Sequence, residues 1–192
     1  DTPKIAIAPN GTATAVWRQS DGSTINVLSN RFILGTGWNT STPAIDTENQ
    51  EAFTPEVAVD TQGNALAVWR QSKNGQIHIF SSRYNSNTSL WETPEPIESG
   101  NASNAGFPQI AFDLNGNAIA VWAQLDSGET FDNVWANRFL KSSGWQTPEK
   151  IEREDAGSAG FPQTGLDRDG NAVAVWIQDD GITINVHANH FR

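Results

Sequence analysis

Apolar and polar residues follow one pattern that recurs four times along the chain. In its clearest part, small and branched apolar residues alternate and lead into a tryptophan. The four copies are residues 12–17 (TATAVW), 64–69 (NALAVW), 117–122 (NAIAVW) and 171–176 (NAVAVW). Alternation over so few residues predicts a β-strand. Because both sets of alternating positions are apolar, we expect both faces of this strand to be covered.

The flanking residues predict a repeat of four short antiparallel strands. The first strand is expected at residues 4–8, 56–60, 109–113 and 163–167, and the second is the tryptophan segment. The third is expected at residues 25–32, 77–84, 133–139 and 184–191, after glycine turns that favour hairpins. The fourth is expected at residues 38–45, 91–97 and 145–151, where Pro43, Pro94 and Pro148 suit an edge strand. The linkers are too short for crossover helices, so the strands should form meanders.

The repeats cover residues 3–54, 55–107, 108–161 and 162–192, and the last of them is incomplete. Residues 55–69 best match the pattern P-x-V-A-V-D-x-x-G-N-A-x-A-V-W, which resembles blades of NHL-like and kelch-like proteins and of repeat-bearing secreted bacterial proteins. A period near 50 residues is typical of propellers. The resemblance implies an all-β fold, a β-propeller of four sequence repeats in one domain spanning residues 1–192. It implies four-stranded antiparallel blades, with a last blade that lacks its outer strand, and it implies no activity.

Two alternative architectures are a β-sandwich and a solenoid, but sandwiches usually lack a strict repeat and solenoid repeats are mostly shorter. Within the propeller reading, the ring either closes with four blades or forms an arc of a larger ring. The lengths of the repeats favour the closed ring. An arc would expose an apolar blade face and invite self-association with another copy of the chain.

The bulk composition narrows the function classes. The 192 residues carry a net charge of −10, which repels phosphate backbones and makes nucleic acid an unsuitable partner. No apolar run approaches the roughly 20 residues that would insert into a membrane. The chain has no cysteine, which excludes disulfides and thiolate chemistry, and no methionine, so we expect a mature or excised piece of a longer protein. We expect it to be secreted or on the cell surface.

Acidic loops suggest a cation site on one face of the predicted propeller. The candidate ligands lie in turns between the second and third strands: Asp21, Asp126, Asp179 and Asp180. Ca²⁺ needs several convergent oxygens, which such a face could offer. The loops that join fourth to first strands add acidic residues to the same face, among them Asp46, Glu98 and Glu152. The simpler interpretation of all these residues is a solvated acidic rim with no cofactor bound. The turns that contain Asp60, Asp113 and Asp167 differ from a Ca²⁺ loop, and a structural hairpin role explains them better.

Arginines and tryptophans form a second candidate site. Arg31, Arg83 and Arg138 end the third strands, and Trp38, Trp91 and Trp145 begin the fourth. An aromatic ring stacks on a sugar's apolar face while a guanidinium binds its hydroxyls, so these residues could bind one glycan per blade. The alternative is an arginine clamp on the turn aspartates, with the tryptophans packing the outer strand. We expect a structural role for the tryptophans that end the second-strand segments: Trp17, Trp69, Trp122 and Trp176.

No residue is assigned a catalytic role, because no nucleophile with a base and no distinctive carboxylate pair stands out. His187 and His190 face opposite sides of a strand, which disfavours a metal pair. The leading hypothesis is an extracellular, non-enzymatic binding module that recognises a glycan or an extracellular protein. The alternatives are a structural module of a larger surface assembly and a glycoside hydrolase or lyase.

Overall fold

A computed structural model describes residues 1–46, 50–98, 104–153 and 157–191, and these residues are all-β, as predicted. The strands are β1 (Lys4–Ile7), β2 (Ala13–Ser20), β3 (Ile25–Ile33), β4 (Gly37–Trp38), β5 (Ala52–Val59), β6 (Ala65–Lys73), β7 (Gln76–Asn85), β8 (Leu90–Trp91), β9 (Glu95–Pro96), β10 (Asn104–Phe112), β11 (Ala118–Leu125), β12 (Asp132–Leu140), β13 (Gly144–Trp145), β14 (Glu149–Lys150), β15 (Ala159–Leu166), β16 (Ala172–Asp179) and β17 (Ile184–Phe191). Among these residues, no helix is long and apolar enough to cross a membrane.

The strands form repeated antiparallel meanders. Repeat 1 is the sheet β1-β2-β3-β4, and repeat 4 is the sheet β15-β16-β17. Because the inner strands begin ahead of the prolines, residues 52–54, 104–107 and 159–161 are counted with the repeat that follows them. Repeat 2 (β5 to β9) and repeat 3 (β10 to β14) share one ten-stranded sheet, because Asn104 on β10 pairs in parallel with Ile77 on β7. Inside each repeat, neighbouring strands run antiparallel over the register that the glycine turns predict, such as Trp69 opposite Phe80.

The fourth strand is less regular than the sequence predicts. It is broken into short pieces, for example β8 and β9 in repeat 2, which pair separately with β7. In repeat 1 the second piece is a single bridge between Leu28 and Ala44. A proline inside each predicted strand removes an amide donor, which explains why the ladder cannot run without interruption.

The tryptophan strand joins one repeat to the next through its two faces. Val16 and Val27 of repeat 1 share a buried cluster with Trp69 of repeat 2. The corresponding clusters combine Val68, Ile79, Ala120 and Trp122 between repeats 2 and 3, and Val121, Val134, Ala174 and Trp176 between repeats 3 and 4. Alanines on one sheet leave room for branched side chains on the other, so adjacent sheets approach closely.

Every one of these tryptophans has a hydrogen-bond partner within its own strand. The indole Nε1–H of Trp69 donates to Oε1 of Gln71 at 2.8 Å, and Trp122 donates to Gln124 at 2.9 Å. The equivalent bonds in repeats 1 and 4 join Trp17 to Gln19 and Trp176 to Gln178. Residues two apart on a strand share a face, so in repeats 2, 3 and 4 this polar pair is buried without leaving the indole donor unsatisfied.

The sheets do not close into a ring. The outer face of repeat 4 exposes Val173, Val175 and Val186, and the opposite end of the molecule exposes Ile5 and Ile7 of repeat 1. The closed four-bladed ring expected from the sequence is therefore not confirmed. The length of a repeat determines how many strands its sheet contains, whereas the angle between neighbouring sheets depends on how their side chains pack.

Three acidic residues of the predicted rim are anchored in the fold. The backbone N–H of Val27 donates to Oδ1 of Asp46 at 2.9 Å, and Ile79 donates in the same way to Glu98 at 2.8 Å. Val134 donates to Glu152. Burial raises the pKa of Asp46 above its ordinary value of 3.8, and the Val27 amide offsets only part of this increase. These carboxylates therefore hold the start of the third strand, where sequence reasoning expected a solvated rim.

Replacing Asp46 by asparagine should change the pH dependence of stability. Because the pKa is raised in the folded state, the folded protein binds this proton more tightly than the unfolded chain does. Ionised Asp46 therefore lowers stability at neutral pH, and this loss disappears below pH 3.8. We expect Asp46→Asn to gain more stability relative to the parent at neutral pH than at about pH 3, measured by urea unfolding.

Asp21→Asn is the matched control with the opposite sign. Its pKa is lowered, first by the backbone hydrogen bond from Thr24, so its ionised form favours folding above pH 3.8. Equal shifts in the two variants would contradict the proposed origin of the pH dependence.

Candidate functional site

The inner strands of repeats 2, 3 and 4 carry a bulge at the proline that begins each sequence repeat. The pairing register shifts at this point in β5, β10 and β15. The residue before the proline has a positive φ in all four repeats: Thr2 (50°), Thr54 (45°), Phe107 (53°) and Phe161 (50°). A left-handed conformation costs about 1–3 kcal/mol for residues other than glycine and is concentrated at functional sites. Bulges re-aim side chains, and here the four side chains line one shared central cavity.

A larger cleft opens beside this cavity, and we call it the central cleft. It has a volume of about 350 Å³, and its walls come mainly from repeats 3 and 4 with Arg70 from repeat 2. Phe107 and Phe161 belong to both the cleft and the cavity. Their ring centroids lie 4.2 Å apart, yet the two residues remain 42% and 57% exposed.

Two carboxylates stand on the cleft and are linked by Ser158. Asp132 begins β12, and its Oδ2 accepts the hydroxyl proton of Ser158 at 3.2 Å while its backbone N–H donates to Ser158 Oγ at 3.1 Å. Asp179 ends β16, and its backbone N–H donates to the carbonyl of Ser158 at 3.1 Å. Its Oδ1 accepts the N–H of Gly181 at 2.8 Å. Ser158, which directly precedes β15, therefore contacts acidic residues of two repeats.

These acidic positions break the repeat. At the end of the second strand, the four repeats carry Ser20, Ser72, Leu125 and Asp179. The residues paired with them on the third strand are Ile25, Ile77, Asp132 and Ile184. Phe107 and Phe161 likewise replace the threonines of repeats 1 and 2. Repeats 1 and 2 form the same strands with serine, isoleucine and threonine at these positions, so the architecture does not require the residues found in repeats 3 and 4.

Arg70 supplies positive charge at the edge of the cleft. Its Nε–H donates to the carbonyl of Ala105 at 3.0 Å, which fixes the guanidinium against β10. Burial lowers the pKa of Arg70, because a desolvated cation is less stable than a hydrated one. An arginine remains cationic at neutral pH even so, and it can offer N–H donors to an oxygen-rich ligand.

Gly157 allows the wall with Asp179 to pack closely. The Nε2 of Gln178 donates to the Gly157 carbonyl at 3.2 Å, and a Cβ at Gly157 would collide with the backbone carbonyl of Asp179. We expect Gly157→Ala to cost about 1–3 kcal/mol of unfolding free energy and to displace Asp179. Gly160→Ala is the control, since a Cβ there meets open space. Urea unfolding measures both, and an unchanged midpoint in Gly157→Ala would refute this packing role.

The arginines and tryptophans predicted to bind sugars lie away from the central cleft. Each arginine stacks on an aromatic ring of the next repeat: Arg31 on Tyr84 at 4.1 Å, Arg83 on Phe139 at 5.7 Å and Arg138 on Phe191 at 5.4 Å. Trp38, Trp91 and Trp145 meet Phe32, Tyr84 and Phe139 edge-on, with centroids 5.6, 5.6 and 5.5 Å apart. The structure thus brings Arg31 and Trp91 to the same ring, and Arg83 and Trp145 to another. Sugar binding at these residues stays a prediction.

The candidate metal ligands are distributed over three repeats, and Asp179 and Asp180 are adjacent in the last of them. Asp21 and Asp180 accept backbone N–H groups within their turns, and these hydrogen bonds, first those from Thr24 and Thr183, lower the two pKa values. Asp126 accepts the indole N–H of Trp135 at 3.1 Å, whereas Asp179 lines the cleft. The described part of the chain contains no group of three histidine, aspartate or glutamate residues that could hold a metal. Calcium binding stays a prediction.

The turn aspartates accept three hydrogen bonds each. Oδ1 of Asp60 accepts the N–H groups of Gln62 and Asn64, and Oδ2 accepts the amide of Asn64 at 2.7 Å. Asp113 and Asp167 make the same set of bonds in repeats 3 and 4. The side-chain bond from Asn171 is the largest cause of the lowered pKa of Asp167.

Sequence reasoning missed most of the cleft. Of its polar residues it named Asp179, as a metal ligand, and it overlooked Arg70, Asp132 and Ser158 together with the two phenylalanines. The available signal was the set of positions at which the four repeats differ from one another, such as those of Asp132 and Asp179. Such differences point to one site only when the structure shows that the differing residues line the same cleft.

No family model matches the chain, and no curated protein matches it. Solved structures do. An endo-arabinase from Bacteroides thetaiotaomicron matches with a TM-score of 0.58 at 15% identity, over 100% of this chain and 75% of that one. A GH93 α-L-arabinofuranosidase of Fusarium graminearum, solved with arabinobiose, matches with a TM-score of 0.66 at 11% identity, over 98% and 61%. A PL25 ulvan lyase bound to -[GlcA(1-4)Rha3S]- matches with a TM-score of 0.63 at 11% identity, over 96% and 54%.

These comparisons correct the functional expectation. The prediction of a non-enzymatic binding module is wrong, since the similar structures are glycoside hydrolases and a polysaccharide lyase. The specific likeness to NHL and kelch repeats is not shown. The chain matches about three-fifths of the length of the arabinofuranosidase. At these identities the likeness concerns the fold alone: the chain has an all-β fold similar to the β-propeller folds of glycan-active enzymes.

Proposed function

We propose that this protein is a glycoside hydrolase whose central cleft cleaves a neutral polysaccharide. One observation carries the proposal: two carboxylates that break the sequence repeat, Asp132 and Asp179, line the same cleft. The likeness to glycan-active propellers supports it. We also propose that the four repeats are successive blades of one propeller domain, and that the enzyme meets its polysaccharide outside the cell.

The chemistry needs two carboxyl groups in different roles. In glycoside hydrolysis, one carboxylic acid protonates the leaving oxygen, and one carboxylate attacks the sugar or activates water. The Ser158 hydroxyl donates to Oδ2 of Asp132, which holds this carboxylate in place at the cleft, and we assign Asp132 the role of base or nucleophile. Asp179 then acts as the acid. Arg70 at the cleft edge supplies donors for substrate hydroxyls.

Charge favours a hydrolase over a lyase. The ligand in the lyase structure contains glucuronate and sulfated rhamnose, both anionic. This chain carries a net charge of −10, so its overall field repels a polyanionic chain. A neutral polysaccharide meets no such barrier. An arabinan is the first substrate to test, because the named neighbours include an endo-arabinase and an arabinofuranosidase.

The test is a substrate panel incubated with the 192-residue chain. It contains arabinan, arabinobiose, a β-1,2-linked mannan and ulvan, and it measures new reducing ends and unsaturated products separately. A hydrolase releases reducing ends from a neutral substrate without forming unsaturated sugars. Unsaturated products from ulvan would assign the lyase reaction instead, and no product from any member of the panel would overturn the proposed function.

A further inference from the structure

A second, smaller cavity lies next to the central cleft. Its volume is about 220 Å³, and residues of all four repeats line it. Phe107 and Phe161 form a wall that it shares with the cleft. A ligand in the cleft that extends past these rings therefore enters this central cavity.

The polar lining of the central cavity is balanced in charge. Equivalent positions after the four prolines contribute Lys4, Glu56, Gln109 and Gln163. The ammonium of Lys4 lies 2.6 Å from Oε1 of Glu56, and Nε2 of Gln109 donates to the same oxygen at 3.1 Å. Gln163 donates to the carbonyl of Pro162 at 3.0 Å. The cavity thus offers both donors and acceptors, and Lys4, the cation among its described lining residues, is already paired with a carboxylate.

The phenylalanine wall is built at a conformational cost. Both residues hold a positive φ, and both leave about half of their surface in contact with solvent. Repeats 1 and 2 hold threonine in the same backbone conformation, and repeat 2 forms the same bulge, so the bulge itself does not require an aromatic residue. The two rings occur on repeats 3 and 4, the same repeats that supply Asp132 and Asp179. Packing alone would bury such rings, whereas a platform for a ligand keeps them exposed.

We propose that Phe107, Phe161 and the central cavity form a subsite for one neutral sugar ring of the substrate. The apolar face of the sugar stacks on the phenylalanine wall, and its hydroxyls exchange hydrogen bonds with Gln109, Gln163 and the Lys4–Glu56 pair. Hydroxyl groups donate and accept, which matches this mixed lining. A uronate is disfavoured because Lys4 is neutralised by Glu56. The subsite rests on the proposed hydrolase function, in which Asp132 and Asp179 act on the adjoining bond.

The first experiment restores threonine to the platform. Phe107→Thr and Phe161→Thr place in repeats 3 and 4 the residue that repeats 1 and 2 hold in the same backbone conformation, so the fold should tolerate them. We expect each variant to raise KM for arabinan by about 3- to 10-fold with kcat unchanged. Leu114→Ala, an exposed apolar residue of a distant turn, should leave both constants unchanged. Unchanged KM in both threonine variants would overturn the subsite.

A binding experiment separates the subsite from the reaction. Calorimetric titration of Asp179→Asn with arabinobiose should give saturable binding that Phe107→Thr weakens by the same 3- to 10-fold. If the substrate panel shows no activity but this binding persists, the hydrolase proposal fails and the subsite stands. If arabinobiose fails to bind, or a glucuronate-containing oligosaccharide binds as tightly, the neutral-sugar subsite is wrong.

Discussion

We expect Asp179→Asn to lower kcat for the proposed hydrolysis of a neutral polysaccharide by about 100- to 10,000-fold, and Asp132→Asn to lower it to a similar extent. Asparagine has nearly the shape of aspartate and keeps an oxygen that accepts the N–H of Gly181 or the hydroxyl of Ser158. It can neither protonate a leaving oxygen nor attack as a carboxylate. Because the lost group acts in the transition state, kcat should fall much more than KM changes. Release of reducing ends at saturating substrate measures the effect.

A matched control guards against a general effect of charge. Asp169→Asn removes one exposed carboxylate from a turn, and repeat 3 already carries asparagine at the equivalent position, Asn115. This variant should retain the parental kcat. Full activity in Asp132→Asn and Asp179→Asn would show that the carboxylates of the central cleft do not perform the chemistry, even if the protein hydrolyses the polysaccharide.

Trp69→Ala destabilises the fold by about 3–5 kcal/mol, which is a large part of the stability of an ordinary domain. Trp69 is 0% exposed and joins repeats 1 and 2 in one buried cluster. The substitution removes the indole from between two sheets and also its hydrogen bond to Gln71. Local collapse is limited because both neighbours are pleated sheets held by their own ladders. Urea unfolding followed by far-ultraviolet circular dichroism measures the loss.

Trp38→Ala is the control for this prediction. Trp38 is 49% exposed and contacts Phe32 at the edge of repeat 1, so its loss should cost about 1 kcal/mol. Similar destabilisation by the two variants would mean that burial between sheets is not what makes Trp69 important. A loss below about 1 kcal/mol for Trp69→Ala would contradict its role in joining repeats.

The regular part of the fold was accessible from the sequence because it depends on short-range rules. Alternation identified the second strands, and glycine turns placed the third strands within a residue or two of β3, β7, β12 and β17. The inner strands were harder. Their bulges place Thr54 and Phe107 in a rare conformation, and the pairing continues ahead of the prolines to Ala52 and Asn104. Propensity rules stop a strand at proline and so shortened these elements.

The candidate site was less accessible because its members are far apart in the chain. Arg70, Asp132 and Asp179 belong to three repeats and share no local motif. Asp179 was named as one of several acidic turn residues that could bind a cation, a reason unrelated to the cleft. For Asp46 and Glu98, the sequence predicted solvated rim carboxylates, whereas the structure shows that they accept backbone N–H groups of buried residues. Local sequence cannot distinguish a solvated carboxylate from one that lies against a strand end.

By itself the sequence determined the all-β class, the period of the repeat and the two apolar faces of each tryptophan strand, since these follow from side-chain alternation and turn chemistry within a few residues. The tertiary structure decided which departures from the repeat matter. Packing of successive sheets brings Phe107, Phe161, Asp132 and Asp179 to one cleft and leaves the arginine–aromatic stacks elsewhere. It also left the sheets unclosed, because the angle between neighbouring sheets is set by contacts across their faces, which no single repeat contains.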